Sequence, residues 1–491
     1  VKAGDTIYLR NGYHGSVFIR GGYNNDYITI EAQEGHTPIL KKIQLSAVAK
    51  WIVRGLTITP EHAPEYEKSY LIFIESHGWH GPSEDVIIEH NTVCSVQDTA
   101  VWTADDWNNF ACAGIKTHAS FSIIRNNRLI NVNFGIVVSG DNSIVEYNTI
   151  INLCGDGIVG SADNLTLQYN VIKNFYKVNE NHDDGIQFHR GTNPDNIPMK
   201  NALLRGNVII SKEPGVTNPL VGSPQGIGCF DSEMYIGWRV ENNLVLVQHY
   251  HGISVYGAKD SIIVNNLAYD VTGEYPAWIT TAGKGDNTIV RNNMSKSIES
   301  NNENLIIDHN INLKNENPED YFMDYQAFDF RLKKESPATD QGSNEQAPSI
   351  DLVGTVRGEL IDVGPYEFGA KTLFPEYPEN NAIVREDDIK TKKAFEGRTV
   401  SVYNNIIKPQ EHKPAGFIIT MPESGQLCIR IYNSQGKCIK TIVHAHKIAG
   451  ITYRYEWDGN DDAGNVVGSG IYIVHVKAGN FTETKKIAVV K

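Results

Sequence analysis

Along the first three hundred or so residues, short β-branched and apolar runs alternate with single polar positions, and an asparagine returns in a fixed place among them. It follows a β-branched or charged run and precedes an apolar pair. The positions are Asn91, Asn127, Asn148, Asn170, Asn207, Asn243, Asn266, Asn293 and Asn310. Several of the intervals are 21 to 23 residues, and those of 36 and 37 read as one repeat plus an insertion. A fixed period of this length, built from short strands, predicts a solenoid. Asn suits its corner because it tolerates a left-handed bend and its amide can bond to the Asn stacked one coil away.

A second element, Gly-Ile followed by alternation, recurs beside the asparagines: GIKTH (114–118), GIVVS (135–139), GIVGS (157–161), GIQFH (185–189), GIGCF (226–230) and GISVY (252–256). With Ile inward, a period of two places two rows outward. One is Lys116, Val137, Val159, Gln187, Gly228 and Ser254; the other is His118, Ser139, Ser161, His189, Phe230 and Tyr256. The second row turns aromatic and titratable from His189 onward. Insertions at 95–113, 174–184, 190–200 and 211–224 interrupt the coils at the ends of these strands, so a groove is expected over this sheet.

The asparagine pattern resembles the right-handed parallel β-helix over roughly residues 5–343. Stretches 336–343 and 351–369 resemble the terminal cap of secreted β-helix proteins. A Pro-, Glu- and Asn-rich linker is expected at 374–398, and from 399 the chain reads as short alternating strands with regular turns. The segment from YEWDGNDDAG to the C-terminus resembles the immunoglobulin-like domain of flagellar hook-assembly proteins. The expected fold is thus all-β: a right-handed parallel β-helix with cap (1–373), then an immunoglobulin-like β-sandwich (399–491).

Composition changes this picture little. Apolar residues make up 41 % and charged residues 21 %, and no apolar run is long enough for a membrane-spanning helix. A net charge of −14 argues against a nucleic-acid partner but not against an anionic polysaccharide, since a basic groove can coexist with an acidic exterior. The chain opens at Val1 on what reads as a strand, and is expected to be the mature or trimmed form of a secreted or cell-surface protein, a monomer. None of the six cysteines has metal-site spacing, and a Cys428–Cys438 disulfide is not favoured. The turn at Asp458, Asp461 and Asp462 reads as a solvated hairpin turn rather than a calcium loop.

The densest polar cluster is NHDDGIQFHRG (181–191). Two chemistries can be built from it. β-Elimination in an anionic polysaccharide needs a base, a cation for the uronate carboxylate, and an acid for the leaving oxygen. His189 could be the base, Arg190 or Lys116 the cation and Tyr256 the acid, an arrangement that looks like the His–Tyr pair of several β-helix polysaccharide lyases. Asp184 joins this catalytic set. Lys116, His118, Gln187, Phe230, His251, Lys259 and Trp102 are the expected substrate contacts, and Asp183, Asp184 and Asp231 could supply oxygens to calcium. The alternative is inverting hydrolysis. GDGI, NHDDGI and HGIS look like pieces of the polygalacturonase motifs, making Asp156, Asp183 and Asp184 the carboxylates and His251 their helper. That family's R-I-K signature is absent, and an extra coil separates the Asp pair from His251. Lyase is the favoured expectation, hydrolase the second; a C5-epimerase and a non-catalytic glycan-binding solenoid are further alternatives.

Overall fold

The computed structural model describes residues 1–191, 197–229, 234–376, 400–403, 406–407, 415–420, 425–447 and 452–490. The chain divides into two compact units, Val1–Tyr377 and Pro378–Lys491.

In the first unit each coil contributes three short parallel strands, which make a parallel β-helix. The first sheet holds the Gly-Ile strands, among them Ala113–Thr117, Ile158–Gly160, Asp184–Phe188, Gln225–Cys229 and His251–Val255. The second runs through Glu84–Glu89, Ile123–Arg125 and successors to Ile306–Asp308. The third follows each ladder asparagine, from Thr92–Cys94 to Ile311–Asn312. Near the N-terminus two long strands, Ser16–Ala32 and Lys42–Arg54, run through the corner and join the first two sheets. Ile115, Ile136, Ile158, Ile186, Ile227 and Ile253 stack in register and are fully buried.

The asparagine ladder is continuous. Each side-chain Nδ2 donates to Oδ1 of the asparagine one coil on, from Asn91 through to Asn310, at 2.8–3.0 Å. The same Oδ1 also accepts the backbone N–H of the preceding ladder residue, as Asn148 does from Asn127. One part of the expectation is corrected: the ladder residue is not the left-handed one. The residue before it is, with φ between 49° and 61° at His90, Asn126, Tyr147, Tyr169, Gly206, Asn242, Asn265, Asn292 and His309. The ladder Asn is therefore chosen for its amide, and its neighbour makes the bend.

The Gly of Gly-Ile answers a steric demand. A Cβ at Gly114, Gly135, Gly157, Gly226 or Gly252 would lie under 3.0 Å from a carbonyl oxygen of the next coil and would also meet a core side chain. Gly and Ile thus both face inward at a corner, and the residue before Gly returns to the outside.

The other two faces are occupied. On the second sheet Glu31, Arg54, Glu89, Arg125 and Glu146 succeed one another in register, followed later by Arg205 and Glu241, and by Arg291 and Asp308. The buried Glu89 is held by Arg54 (2.6 Å) and Arg125 (2.7 Å). On the third sheet, outward Val208, Leu244, Leu267 and Met294 are covered by Tyr321, Phe322, Phe330, Val363 and Tyr366 from the cap, which folds back along the flank.

The second unit is an antiparallel sandwich. A three-stranded sheet (Val400–Tyr403, Ala415–Thr420, Thr452–Trp457) and a five-stranded one share a core containing Phe417, Trp457, Leu427, Ile429 and Val474. All six cysteines are free: Cys438 pairs opposite Tyr432 and Cys428 opposite His444. Asp461 accepts the N–H groups of Ala463 and Asn465, which orders the turn from within.

Candidate functional site

The two outward columns of the first sheet have the register the alternation predicts. Phe18, Gln44, Phe73, Lys116, Val137, Val159, Gln187, Gly228, Ser254 and Thr280 follow one another coil by coil. His189 and Tyr256, of the other column, are half-buried at its titratable end.

The inward-facing Gly creates a third column that period-two reasoning misses: the residue two before each Ile. It carries Tyr70, Ala113, Phe134, Asp156, Asp184, Gln225 and His251, and Trp278, directly before Ile279, pairs with His251 across a register shift. The Asp184 backbone N–H donates to Asp156 Oδ1 (2.9 Å), linking successive coils through a carboxylate. His182 Nδ1 lies 3.2 Å from Asp184 Oδ2, and Asn181 Nδ2 donates to Asp183 Oδ1 (3.1 Å). Asp156, Asp183 and Asp184 are all buried. Burial, then the neighbouring Asp184 carboxylate, pushes Asp156 up to about 7. Burial also raises Asp183, against the pull of the Asn181 amide.

A wall built from three insertions shelters this column. The helix Ala104–Phe110, capped by Thr103, buries Trp107 against Tyr176 (ring centroids 5.0 Å apart), and Cys154 joins the same cluster. Asn108 Nδ2 donates to the Val178 carbonyl (2.9 Å), and Tyr176 pairs with Val221 of the next insertion. Trp102 lies 5.1 Å from Trp107 on the edge of this cluster, so part of its surface packs the insertion onto the coils.

Farther along the column, Trp278 Nε1–H donates to His251 Nδ1 (3.1 Å) and to Ser254 Oγ (3.2 Å). Burial, reinforced by His249, brings His251 down to about 4, so the ring is neutral near pH 7. With Nδ1 accepting, its proton sits on Nε2, and His251 presents a donor. Tyr250, half exposed, packs against Tyr275 and Trp278, and the Tyr256 ring stands 6.2 Å from His251. Gln225 and Trp278 were not singled out by the sequence reading; Gln225 carries the same signal, two positions before Ile, whereas Trp278 directly precedes Ile279 across a register shift and lacks it.

The remaining expected site residues scatter. His189 Nδ1 accepts the Gly191 N–H (3.0 Å), so the neutral ring carries its proton on Nε2. Arg190 is ion-paired to Asp163 and also donates to the Pro198 carbonyl (3.3 Å). Gln187 is buried in its column. Lys116 and His118 lie three coils away, with the Lys116 Nζ over Tyr70 (5.0 Å) and Phe73 (5.8 Å). Lys259 belongs to a separate three-stranded ladder at the corner between the first and second sheets. Phe230 and Asp231 lie outside the described residues. Among the described residues no group of three or more His, Cys, Asp or Glu is placed to hold a metal ion.

Comparison with known proteins identifies one part of the chain. Residues 404–481 match the family model of the FlgD Ig-like domain. No curated protein matches the chain. Among solved structures, the chain is similar to PorZ, a surface component of the type-IX secretion system of Porphyromonas gingivalis, with 19 % identity and a TM-score of 0.15. That match covers 20 % of this chain and only 12 % of PorZ. A complex of XylC with xylose aligns at 11 % identity and TM-score 0.33, over 94 % of this chain and 68 % of that one. The tailspike protein gp49 of Acinetobacter baumannii bacteriophage Fri1, a capsular polysaccharide depolymerase, aligns at 9 % identity and TM-score 0.29, over 99 % and 80 %.

Proposed function

We propose that the protein is an exported enzyme that cleaves a polysaccharide laid along the Gly-Ile face, with Asp156 as acid and the Asp183–Asp184 pair as base. The supporting observation is the meeting of three buried carboxylates from two successive coils at the edge of the groove. An acid near 7 is still partly protonated at neutral pH and can give its proton to a glycosidic oxygen; a second carboxylate then activates water. His251 Nε2–H would hold a sugar hydroxyl, and Tyr250 and Trp278 offer ring faces to a pyranose.

This reading places hydrolysis ahead of the β-elimination favoured from sequence. Elimination beside a uronate needs a cation on its carboxylate, and Arg190 is engaged by Asp163 while Lys177 is bonded to the Asn181 carbonyl. Elimination stays the second reading because burial raises Tyr256, which keeps its proton and suits it as an acid. Calcium at Asp183 and Asp184 belongs to that second reading, since it would supply the missing cation.

The test is a panel of neutral and anionic polysaccharides, followed by reducing ends and ultraviolet absorbance. Reducing ends without absorbance, abolished in Asp156→Asn and Asp184→Asn but kept in Tyr256→Phe, is the expected result. A new conjugated double bond, lost in His189→Ala and Tyr256→Phe, would replace hydrolysis with elimination.

A further inference from the structure

We propose that the N-terminal end of the same face is a second, non-catalytic subsite, which binds a sugar carrying an acidic substituent, a carboxylate or a sulfate. The proposal rests on the reading of this face as a glycan groove. There the two outward columns bear Phe18, Gln44, Phe73 and Lys116 in one, and Arg20, Ser46, Glu75 and His118 in the other. Phe18, Ile19, Arg20, Gln44 and Ser46 line a shallow cleft. Ser46 is 2 % exposed, yet its Oγ has no hydrogen-bond partner. A buried hydroxyl left unpaired is destabilising, and a ligand oxygen would relieve it.

The chemistry of the cleft selects the ligand. Phe18 is 62 % exposed and Phe73 half-buried, so both offer ring faces to the apolar side of a pyranose. Arg20 is exposed and makes no ion pair among the described residues, and its fork fits a carboxylate or sulfate in a way a neutral hydroxyl does not use. Lys116 adds a second cation two coils beyond Gln44, held by aromatic faces rather than by an acid. Glu75, which accepts weakly from Gln44 Nε2 (3.5 Å), partly offsets their charge.

This end is physically distinct from the carboxylate centre. Val137, Ser139, Val159 and Ser161 form a bland stretch between the two. Lys116 stands three coil steps from Gln187, about 14 Å, and Phe18 six steps, about 29 Å. A sugar unit advances about as far as one coil, so one polymer can occupy both ends while a short oligosaccharide cannot. Such a polymer would be acidic at intervals, with its acidic group far from the three aspartates that would repel it.

The experiment uses the full chain carrying Asp184→Asn, so that binding is read without turnover. Polygalacturonate, κ-carrageenan (sulfated, with no carboxylate) and neutral xylan are titrated by calorimetry at low and high salt, with and without Arg20→Gln or Phe18→Ala. The expected result is salt-sensitive binding of an acidic polymer, weakened at least tenfold by either substitution, with the salt dependence flattened by Arg20→Gln. Preference between the two acidic polymers then identifies carboxylate or sulfate as the group held. Equal binding of xylan and the acidic polymers, or less than a twofold effect of Arg20→Gln, would overturn the proposal. Arg20 is exposed, so that variant decides even if Phe18→Ala fails to fold. Persistent turnover in Asp156→Asn and Asp184→Asn would instead refute the catalytic reading, and leaves the binding result to be judged separately.

Discussion

Replacing Asp156 by Asn should strengthen the β-helix at neutral pH while stopping its chemistry. Asp156 is 5 % exposed and its carboxyl is carried from 3.8 to about 7, first by burial and then by Asp184. At about 1.4 kcal/mol for each pH unit, ionising it in the fold costs up to about 4 kcal/mol. The sign follows from proton uptake. Below about pH 4 the carboxyl is protonated in both states and no penalty exists. Between about 4 and 7 only the unfolded chain loses the proton, so stability falls as pH rises; above 7 the penalty is complete. Asn carries no charge, and its Oδ1 can still accept the Asp184 N–H. The gain should therefore be near zero at pH 4 and reach its full size above pH 7. Urea unfolding at pH 4.5 and pH 8 measures it, and turnover of the preferred polymer should fall by about 100- to 10 000-fold. An equal stability difference at both pH values, or a variant weaker than the parent at pH 8, would refute the electrostatic account of Asp156.

Asn148→Ala should cost about 2–6 kcal/mol in the same unfolding assay, because it strips an acceptor from two buried N–H groups of Asn127, at about 1–3 kcal/mol for each. A loss under about 1 kcal/mol would mean the ladder is replaceable by water. Residues 1–376 alone should turn over polymer within about tenfold of the full chain, since the two units have separate cores; a larger loss in a folded fragment would give the sandwich a part in catalysis.

The coil period was legible because one buried amide per coil must be Asn for its neighbour's sake, and such a position repeats without exception from Asn91 to Asn310. The bend itself was not, since Tyr147, Tyr169 and His309 show that the left-handed residue can be almost anything once the ladder fixes its neighbour. The columns through Lys116 and Gln187 followed from alternation alone. The column through Asp156, Asp184 and His251 did not, because two consecutive inward residues at the Gly corner break the period of two. His189 and Arg190 are polar neighbours in sequence, but their partners Gly191 and Asp163 are set by the fold of the loop and by the adjacent coil.

The ladder bonds and the strand pairings run along the axis of the coil, the direction in which a long polymer would lie. A pull on such a polymer would load every interface between coils in series, while the Asn bond and the three strand ladders of one interface share the load in parallel. The weakest interface would then set the strength of the whole rod. The wall that knits the helix Ala104–Phe110 to the insertions near Tyr176 and Val221 clamps several interfaces together beside the carboxylates. The protein would then be stiffest beside the three aspartates proposed to react, and any yielding under tension would begin elsewhere.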